Sequence, residues 1–538
     1  MLIQLCLFAI VSTCKAKPNI IFIIADDLGW NDVGFHGSNQ IPTPNIDALA
    51  YSGLILQNYY VTPICTPSRS ALMTGKYPIH TGMQHGVIYG TSRRGLPLSE
   101  KILPQHLKDL GYKTHLVGKW HLGHYKKEYL PLNRGFDSHV GFWTGKIDMY
   151  DHTNMETGLW GHDFRRGFRV AFDLFGKYAT DIYTTEAIKV IEGHNKTEPL
   201  FLMVAHSAVH SGNPGEPIRA PDNVIDNFTD IHNYQRRKFA GVLTKLDESV
   251  GKVVESLQKN GLLENSIVIF TTDNGGPAEG FNDNAASNYP LKGVKNTLWE
   301  GGVRGAGLLW SPLIKQRSRV ATQRMHIVDW LPTLLAAAGS NQSALREIDG
   351  INMWEALSND EQSERTSLVH NIDDILASAS ITHQQWKIHK GTNYNGNWDS
   401  WYGPSGRDGS YNVQLVRNQH SGKALSKLGL MPTDDRILHM RSAATIECDT
   451  NASTKTPCSP LEAPCLFNVV EDPCEQNNLA EQEREILQMM LNRLDAVNKT
   501  AVVSQDAKLD PRGDPKYWGT VFTNFADYEL LTPNCLGY

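Results

Sequence analysis

The run PNIIFIIA at 18–25 is of strand length, rich in β-branched side chains and apolar without interruption, and Asp26 and Asp27 follow it at once. A strand that is apolar on both faces belongs inside a parallel sheet covered by helices on both sides. Three later segments repeat the arrangement. YKTHLVG at 112–118 leads into Lys119 and His121, PLFLMVA at 199–205 into His206 and His210, and SIVIFT at 266–271 into Asp273 and Asn274. In open α/β sheets the ligand crevice lies at the carboxyl ends of the strands, so four such ends carrying polar groups predict one shared site.

The covering helices are also legible. Phe239, Val242, Leu243, Leu246, Val250, Val253, Val254 and Leu257 mark one face over 236–260, with Gly261 as the stop. Ile327, Val328, Leu331, Leu334 and Leu335 mark another over 326–339, which Pro332 is expected to bend. After about residue 360 the character changes. Gly, Asn, Trp and Tyr crowd 391–411, β-like runs such as NVQLV at 412–416 are short, and a late helix carries Ile486, Leu487, Met490, Leu491 and Leu494. The expectation is an α/β fold with a large, mostly parallel central sheet flanked by helices over 17–360. A smaller C-terminal α+β domain with an antiparallel sheet follows over 361–538.

The net charge of −6 is slight for 538 residues, so nothing global points to nucleic acid or an anionic membrane. Residues 1–16 read as a secretory signal, with an apolar stretch at 5–11 and Ala16 at the cut, and no later run is long enough to span a membrane. Sequons at Asn195, Asn227, Asn341, Asn451 and Asn498 fit a glycoprotein of the secretory pathway, secreted or lysosomal. Loss of the signal removes Cys6 and Cys14. Cys448, Cys458, Cys465, Cys474 and Cys535 then remain grouped late in the chain, which predicts one or two local disulfides of undetermined pairing, while Cys65 stands alone.

Cys65 opens CTPSRSALMTG at 65–75. Pro67 suits the first turn of a helix and Gly75 its exit, so Cys65 is expected at a helix N-terminus, where unpaired N–H groups favour anions. A free Cys is more often a small buried hydrophobe, and only its surroundings argue otherwise. If Asp26, Asp27 and Asp273 converge, each pair near 4 Å repels by about 4 kcal/mol at an effective dielectric of 20, and a bound cation is the simplest relief. With the amide oxygen of Asn274 the set is all oxygen, suiting Ca²⁺ or Mg²⁺ and not Zn²⁺. Lys119 and His121, two apart, can both face the crevice. His206 and His210 have the spacing of a zinc pair but follow a strand and lack the accompanying Glu. Lys295 is a further candidate cation. The chain contains no P-loop, Gly-x-Ser-x-Gly elbow or internal repeat.

The combination of CTPSR at 65–69, Thr74-Gly75, GKWHLG at 118–123 and the pairs Asp26-Asp27 and Asp273-Asn274 resembles the sulfatases of the alkaline-phosphatase-like superfamily. Within them SEKILP at 99–104, GGVRG at 301–305 and DPRGDPK at 510–516 resemble arylsulfatase B, the N-acetylgalactosamine-4-sulfatase group. The resemblance covers nearly all of the mature chain. It implies that Cys65 is oxidised to formylglycine by a formylglycine-generating enzyme that reads the CTPSR segment. A thiolate attacking sulfur would leave a thiosulfate ester with no internal route to release, whereas a hydrated aldehyde carries two hydroxyls, one to attack and one to expel sulfate. By position Asp26, Asp27, Asp273 and Asn274 match the family's Ca²⁺ ligands, with modified Cys65 adding an oxygen. Arg69 and Lys119 would steady the charges, His121 would accept a proton, and His210 and Lys295 would hold sulfate and assist departure of the alcohol.

The chain departs from the arylsulfatase B pattern in its cysteines. That group has Cys residues between the nucleophile helix and the Lys-x-His strand, and another where Gly513 stands here, while 86–97 has none. The rim segment 142–169, with Trp143, Lys146, His152, Trp160, Arg165 and Arg166, either grips a sulfated sugar or is an ordinary loop. The expected activity is sulfate-ester hydrolysis of the arylsulfatase B type. The alternatives are the same chemistry on a small sulfated plant metabolite or steroid, a related phosphoryl or phosphonate hydrolase, and a non-catalytic binding protein on this fold.

Overall fold

A computed structural model describes residues 16–528 apart from 342–344, 346, 450–454 and 505–507. The signal segment other than Ala16, Cys535 and the sequon at Asn451 therefore lie outside the described residues.

The four apolar runs become the strands Asn19–Ala25, Lys113–Lys119, Leu200–Ala205 and Ser266–Thr272. They lie side by side in a ten-stranded sheet, and all pair in parallel, Ile20 opposite Phe201 and Ile267, and Phe201 opposite Thr114. Their carboxyl ends consequently open along one edge. Ser138–Phe142 extends the parallel part, and antiparallel strands such as Gly307–Trp310 lie outside it. The central strand is apolar on both sides because it serves two cores. Ile21 and Ile23 pack under the helices Pro44–Ser52, Ala179–Gly193 and Tyr234–Lys259, whereas Ile20, Phe22 and Ile24 face Cys65–Thr74, Leu103–Asp109 and Trp330–Ala337.

Two local expectations are corrected. Residues 412–416, read as β-like, enter the helix Val413–Asn418. The Asn412 side chain caps it by accepting from the Gln414 N–H, and Val416 is buried with Leu425 and Met440 against the first core. Pro332 does not bend a long helix. It is the third residue of the short helix Trp330–Ala337, in the first turn, where a missing N–H costs no hydrogen bond, and Ile327–Asp329 is a separate 3₁₀ turn.

The C-terminal antiparallel sheet has four strands, Ser367–Asp373, Ser378–His383, Trp386–Lys390 and Cys465–Asn468, backed by the helix Arg484–Asn498. Ile388, Leu466 and Met490 carry it into the second core. The late cysteines pair as Cys448–Cys474 and Cys458–Cys465.

Candidate active site

Asp26 and Asp27 leave the end of the central strand with no exposure to solvent, and Asp273 and Asn274 leave the end of the neighbouring strand just as deeply. Asp27 adopts a left-handed backbone (φ 68°), which turns successive carboxylates toward a common centre. Its N–H donates to Asp273 Oδ1 at 3.3 Å.

Cys65 is the first residue of the helix Cys65–Thr74, as the Pro67 and Gly75 signals predict. Gly75 closes the helix in the left-handed region (φ 67°), its N–H donating to Ala71 O. No side chain caps the helix start, and Cys65, the one free cysteine among the described residues, lies buried with Sγ 3.5 Å from Asp26 Oδ1. Burial pushes its thiol well above the ordinary range against the pull of Lys119 and Lys295, so the unmodified side chain is a protonated thiol and a poor nucleophile.

Cations interleave with the carboxylates. Lys119 Nζ lies 2.7 Å from Asp26 Oδ2, Arg69 Nη2 lies 2.8 Å from Asp273 Oδ2, and Lys295 Nζ lies 2.8 Å from Asp27 Oδ2. Lys295 Nζ is also 3.1 Å from His210 Nε2, which stands 3.4 Å from Asp27 Oδ2. Burial lowers His210 to about 3 despite Asp27, so the ring is a neutral hydrogen-bonding group beside two charges. His121, also at positive φ (60°), sets Nε2 3.0 Å from Ile88 O while its buried Nδ1 has no partner. A donating Nε2 leaves Nδ1 as a proton acceptor. Burial, reinforced by Lys119 and Arg69, keeps the ring neutral.

The structure brings Asp26, Asp27, Cys65, Arg69, Lys119, His121, His210, Asp273, Asn274 and Lys295 into one buried cluster. It keeps His206 out, with Nε2 3.3 Å from Ser249 Oγ and the ring against Tyr183. Ligand atoms of Asp26, Asp27, Cys65 and His210 all lie within 4.8 Å of one another. Asn274 donates through Nδ2 to Asp27 Oδ1, yet its Oδ1 is buried without a partner. An orphaned amide oxygen among three carboxylates fits a hard divalent cation and supplies the missing partner.

Two positioning contacts were not read from the sequence, one from Thr66 of the CTPSR segment and one from Gly145. Thr66 Oγ1 donates to His121 O and accepts from the Ile88 N–H, stitching the Cys65 helix to the His121 turn and to the loop that orients His121. Gly145 passes so close to His121 that a Cβ there would meet Nε2 at 2.8 Å. In the rim segment, Trp143, His152 and Arg165 prove to be interior, Arg165 stacking 3.7 Å from the Trp143 ring centroid, whereas Lys146 is half-buried and Trp160 exposed.

A family model described as Sulfatase matches residues 18–340. Arylsulfatase J of Mus musculus is 39% identical over 513 residues, covering 94% of this chain and 80% of that protein. N-acetylgalactosamine-6-sulfatase of Homo sapiens is 32% identical over 414 residues, covering 72% and 74%. Among solved structures, Ps i-CgsB in complex with k-i-k-neocarrahexaose superposes with a TM-score of 0.71 at 27% identity, covering 92% of this chain and 96% of that one.

Proposed function

The chain belongs to the sulfatase family of sulfuric ester hydrolases, and from that premise we propose that it works through a formylglycine made from Cys65 beside a bound Ca²⁺. The observation that carries this reading is Cys65 itself. It is an unpaired, buried cysteine at an uncapped helix start, 3.5 Å from a carboxylate, among cations and an orphaned amide oxygen. A protonated thiol there has little nucleophilic use, whereas an oxygen side chain would both join the cation site and attack sulfur.

Asp26, Asp27, Asp273, Asn274 and the modified residue 65 would hold the Ca²⁺, which when bound supplies charge to polarise the sulfate oxygens. Hydrated formylglycine supplies two hydroxyls on one carbon, for attack on the ester and for release of sulfate. The remaining work falls to the chain's own groups. Arg69 and Lys119 hold Asp273 and Asp26 in place and balance their charge. Lys295 and His210, joined at 3.1 Å above Asp27, grip the sulfate and offer a proton to the departing alcohol oxygen. His121 takes the proton that sulfate release requires at Nδ1, since Ile88 O occupies Nε2.

The substrate in this reading is a sulfated sugar of the arylsulfatase B kind, and a relative named N-acetylgalactosamine-6-sulfatase supports a sulfated sugar as the substrate class. Passage through the secretory pathway to the lysosome or outside the cell is supported by the two disulfides and by exposed sequon residues Asn195, Asn227 and Asn498. The test is mass spectrometry of the peptide containing Cys65 from secreted protein. Conversion of the thiol to an aldehyde is expected, together with loss of arylsulfate turnover in Cys65→Ala. Active enzyme carrying only unmodified cysteine would refute the mechanism.

A further inference from the structure

The proposed site accounts for Lys119 and Lys295, each of which rests on a carboxylate, but not for a third ammonium beside it. Lys146 follows Gly145, whose backbone touches His121, and its Nζ donates to Gly212 O at 3.3 Å, two residues beyond His210. It thus ties the segment after His121's neighbour Gly145 to the segment after His210, and it is less buried than Lys295. It is half-buried, and among the described residues no carboxylate pairs with it. Burial pushes its ammonium down, the Glu156 charge pulls against that, and Lys295 adds to the push, while Glu156 makes no ion pair with it. The Glu156 carboxylate is engaged elsewhere, Oε1 accepting from the Gly90 N–H. An anion against Lys146 would therefore meet an ammonium whose direct contact is a neutral carbonyl and not a carboxylate. Tyr89 and Tyr394 stand 42% and 43% exposed, near enough for each to influence the other, and Asn296, next to Lys295, donates to the Tyr394 hydroxyl at 2.6 Å. These are rings and amides on which a sugar unit beyond the first can rest.

We propose that Lys146 binds a second anionic group of the substrate, carried by the sugar unit next to the one that bears the scissile sulfate. The inference rests on the sulfatase reading of the site and adds the charge pattern of the substrate. The scissile sulfate is matched by Lys295 and His210, so a substrate with one charge leaves Lys146 idle and one with two engages it. A uronate carboxylate and a second sulfate have the same chemistry at this position, and the experiment separates them.

Four substrates serve. They are 4-nitrophenyl sulfate, a sulfated N-acetylgalactosamine–uronate disaccharide, the same disaccharide with its carboxyl reduced to the neutral alcohol, and the reduced disaccharide carrying a second sulfate on the neighbouring unit. For the wild type, kcat/KM on a doubly charged disaccharide should exceed that on the reduced one by roughly ten- to a hundredfold, mainly through KM, as expected for a charge-assisted contact. Whichever doubly charged compound shows the advantage identifies the group. In Lys146→Met the advantage should fall to about threefold or less, and Lys146→Arg should restore part of it. Both variants are compared at matched melting temperature, so that a folding defect is not read as lost recognition. A wild type indifferent to the second charge, or an advantage that survives in Lys146→Met, overturns the proposal. A wild type that turns over none of the four overturns the parent reading and this one with it.

Discussion

Replacing Lys387 by Met should expose how the C-terminal sheet holds the loop that bears Lys295. Lys387 Nζ lies 2.9 Å from both Glu300 Oε1 and Glu475 Oε1, and all three side chains are sealed from solvent. Glu300, five residues after Lys295, also accepts from the Tyr60 hydroxyl at 2.9 Å, and its own N–H donates to Glu475 Oε2 at 2.7 Å. Burial, with the nearby Glu300 charge, raises Glu475 from an ordinary 4.5 to about 7 even though Lys387 holds it down. The native state therefore keeps this proton longer than the unfolded chain does. No penalty exists below the unfolded value; stability falls as pH rises from 4.5, and the loss is complete once pH passes the native value near 7. At about 1.36 kcal/mol per unit, that loss is roughly 3 kcal/mol in the wild type.

Lys387→Met removes the cation and moves the native titration of Glu475 upward, so the variant goes on losing about 1.4 kcal/mol per unit above pH 7 where this group's loss in the wild type has levelled off. Added to this is a cost of about 3–5 kcal/mol for leaving the Glu300 carboxylate buried and charged without its cation. Urea unfolding followed by tryptophan fluorescence at about pH 5, 7 and 8.5 measures the difference between the two proteins, in which their other titrations cancel. Arylsulfate turnover should fall as well, because the loop bearing Lys295 loses its anchor. A wild-type-minus-variant difference that stays constant across pH, or a variant as stable as the wild type, refutes the reasoning.

Chelation with EGTA should abolish turnover and lower the melting temperature, and Ca²⁺ at about a hundred times its Kd should restore both, adding about 2.7 kcal/mol. Full activity and stability after exhaustive chelation would refute the cation site. Of the two disulfides, Cys448–Cys474 closes the longer loop, 26 residues against 7. Its double Ser variant should lose about 3.5 kcal/mol and the Cys458–Cys465 variant about 2.4 kcal/mol, and denaturant titration giving the reverse order would contradict the loop-entropy account.

The fold and the core of the site were legible for one physical reason. The closing stretches of strands buried on both faces carry no charged side chain until the strand ends, so Asp26, Lys119 and Asp273 stand out where their strands stop, and parallel pairing puts those ends on one edge. Beyond Ala205, by contrast, the adjacent His206 faces away and His210, four residues later, enters the cluster. Where the deciding partner is distant in sequence, the residue type alone misleads. Val413 and Val416 suit a strand, yet the Asn412 cap and burial against Leu425 make a helix. Arg165 and Trp143 have the composition of a sugar-gripping rim, but the Phe522 carbonyl, brought from the far end of the chain, receives Arg165 inside the protein. Lysines show the limit most clearly. Lys119, Lys146, Lys295 and Lys387 are indistinguishable as letters. The fold brings a carboxylate into contact with Lys119, another with Lys295 and two with Lys387, which ties those charges into the structure, and brings none into ion-pair contact with Lys146 among the described residues. Which lysine is left to meet a substrate is therefore decided by where the acidic residues come to rest.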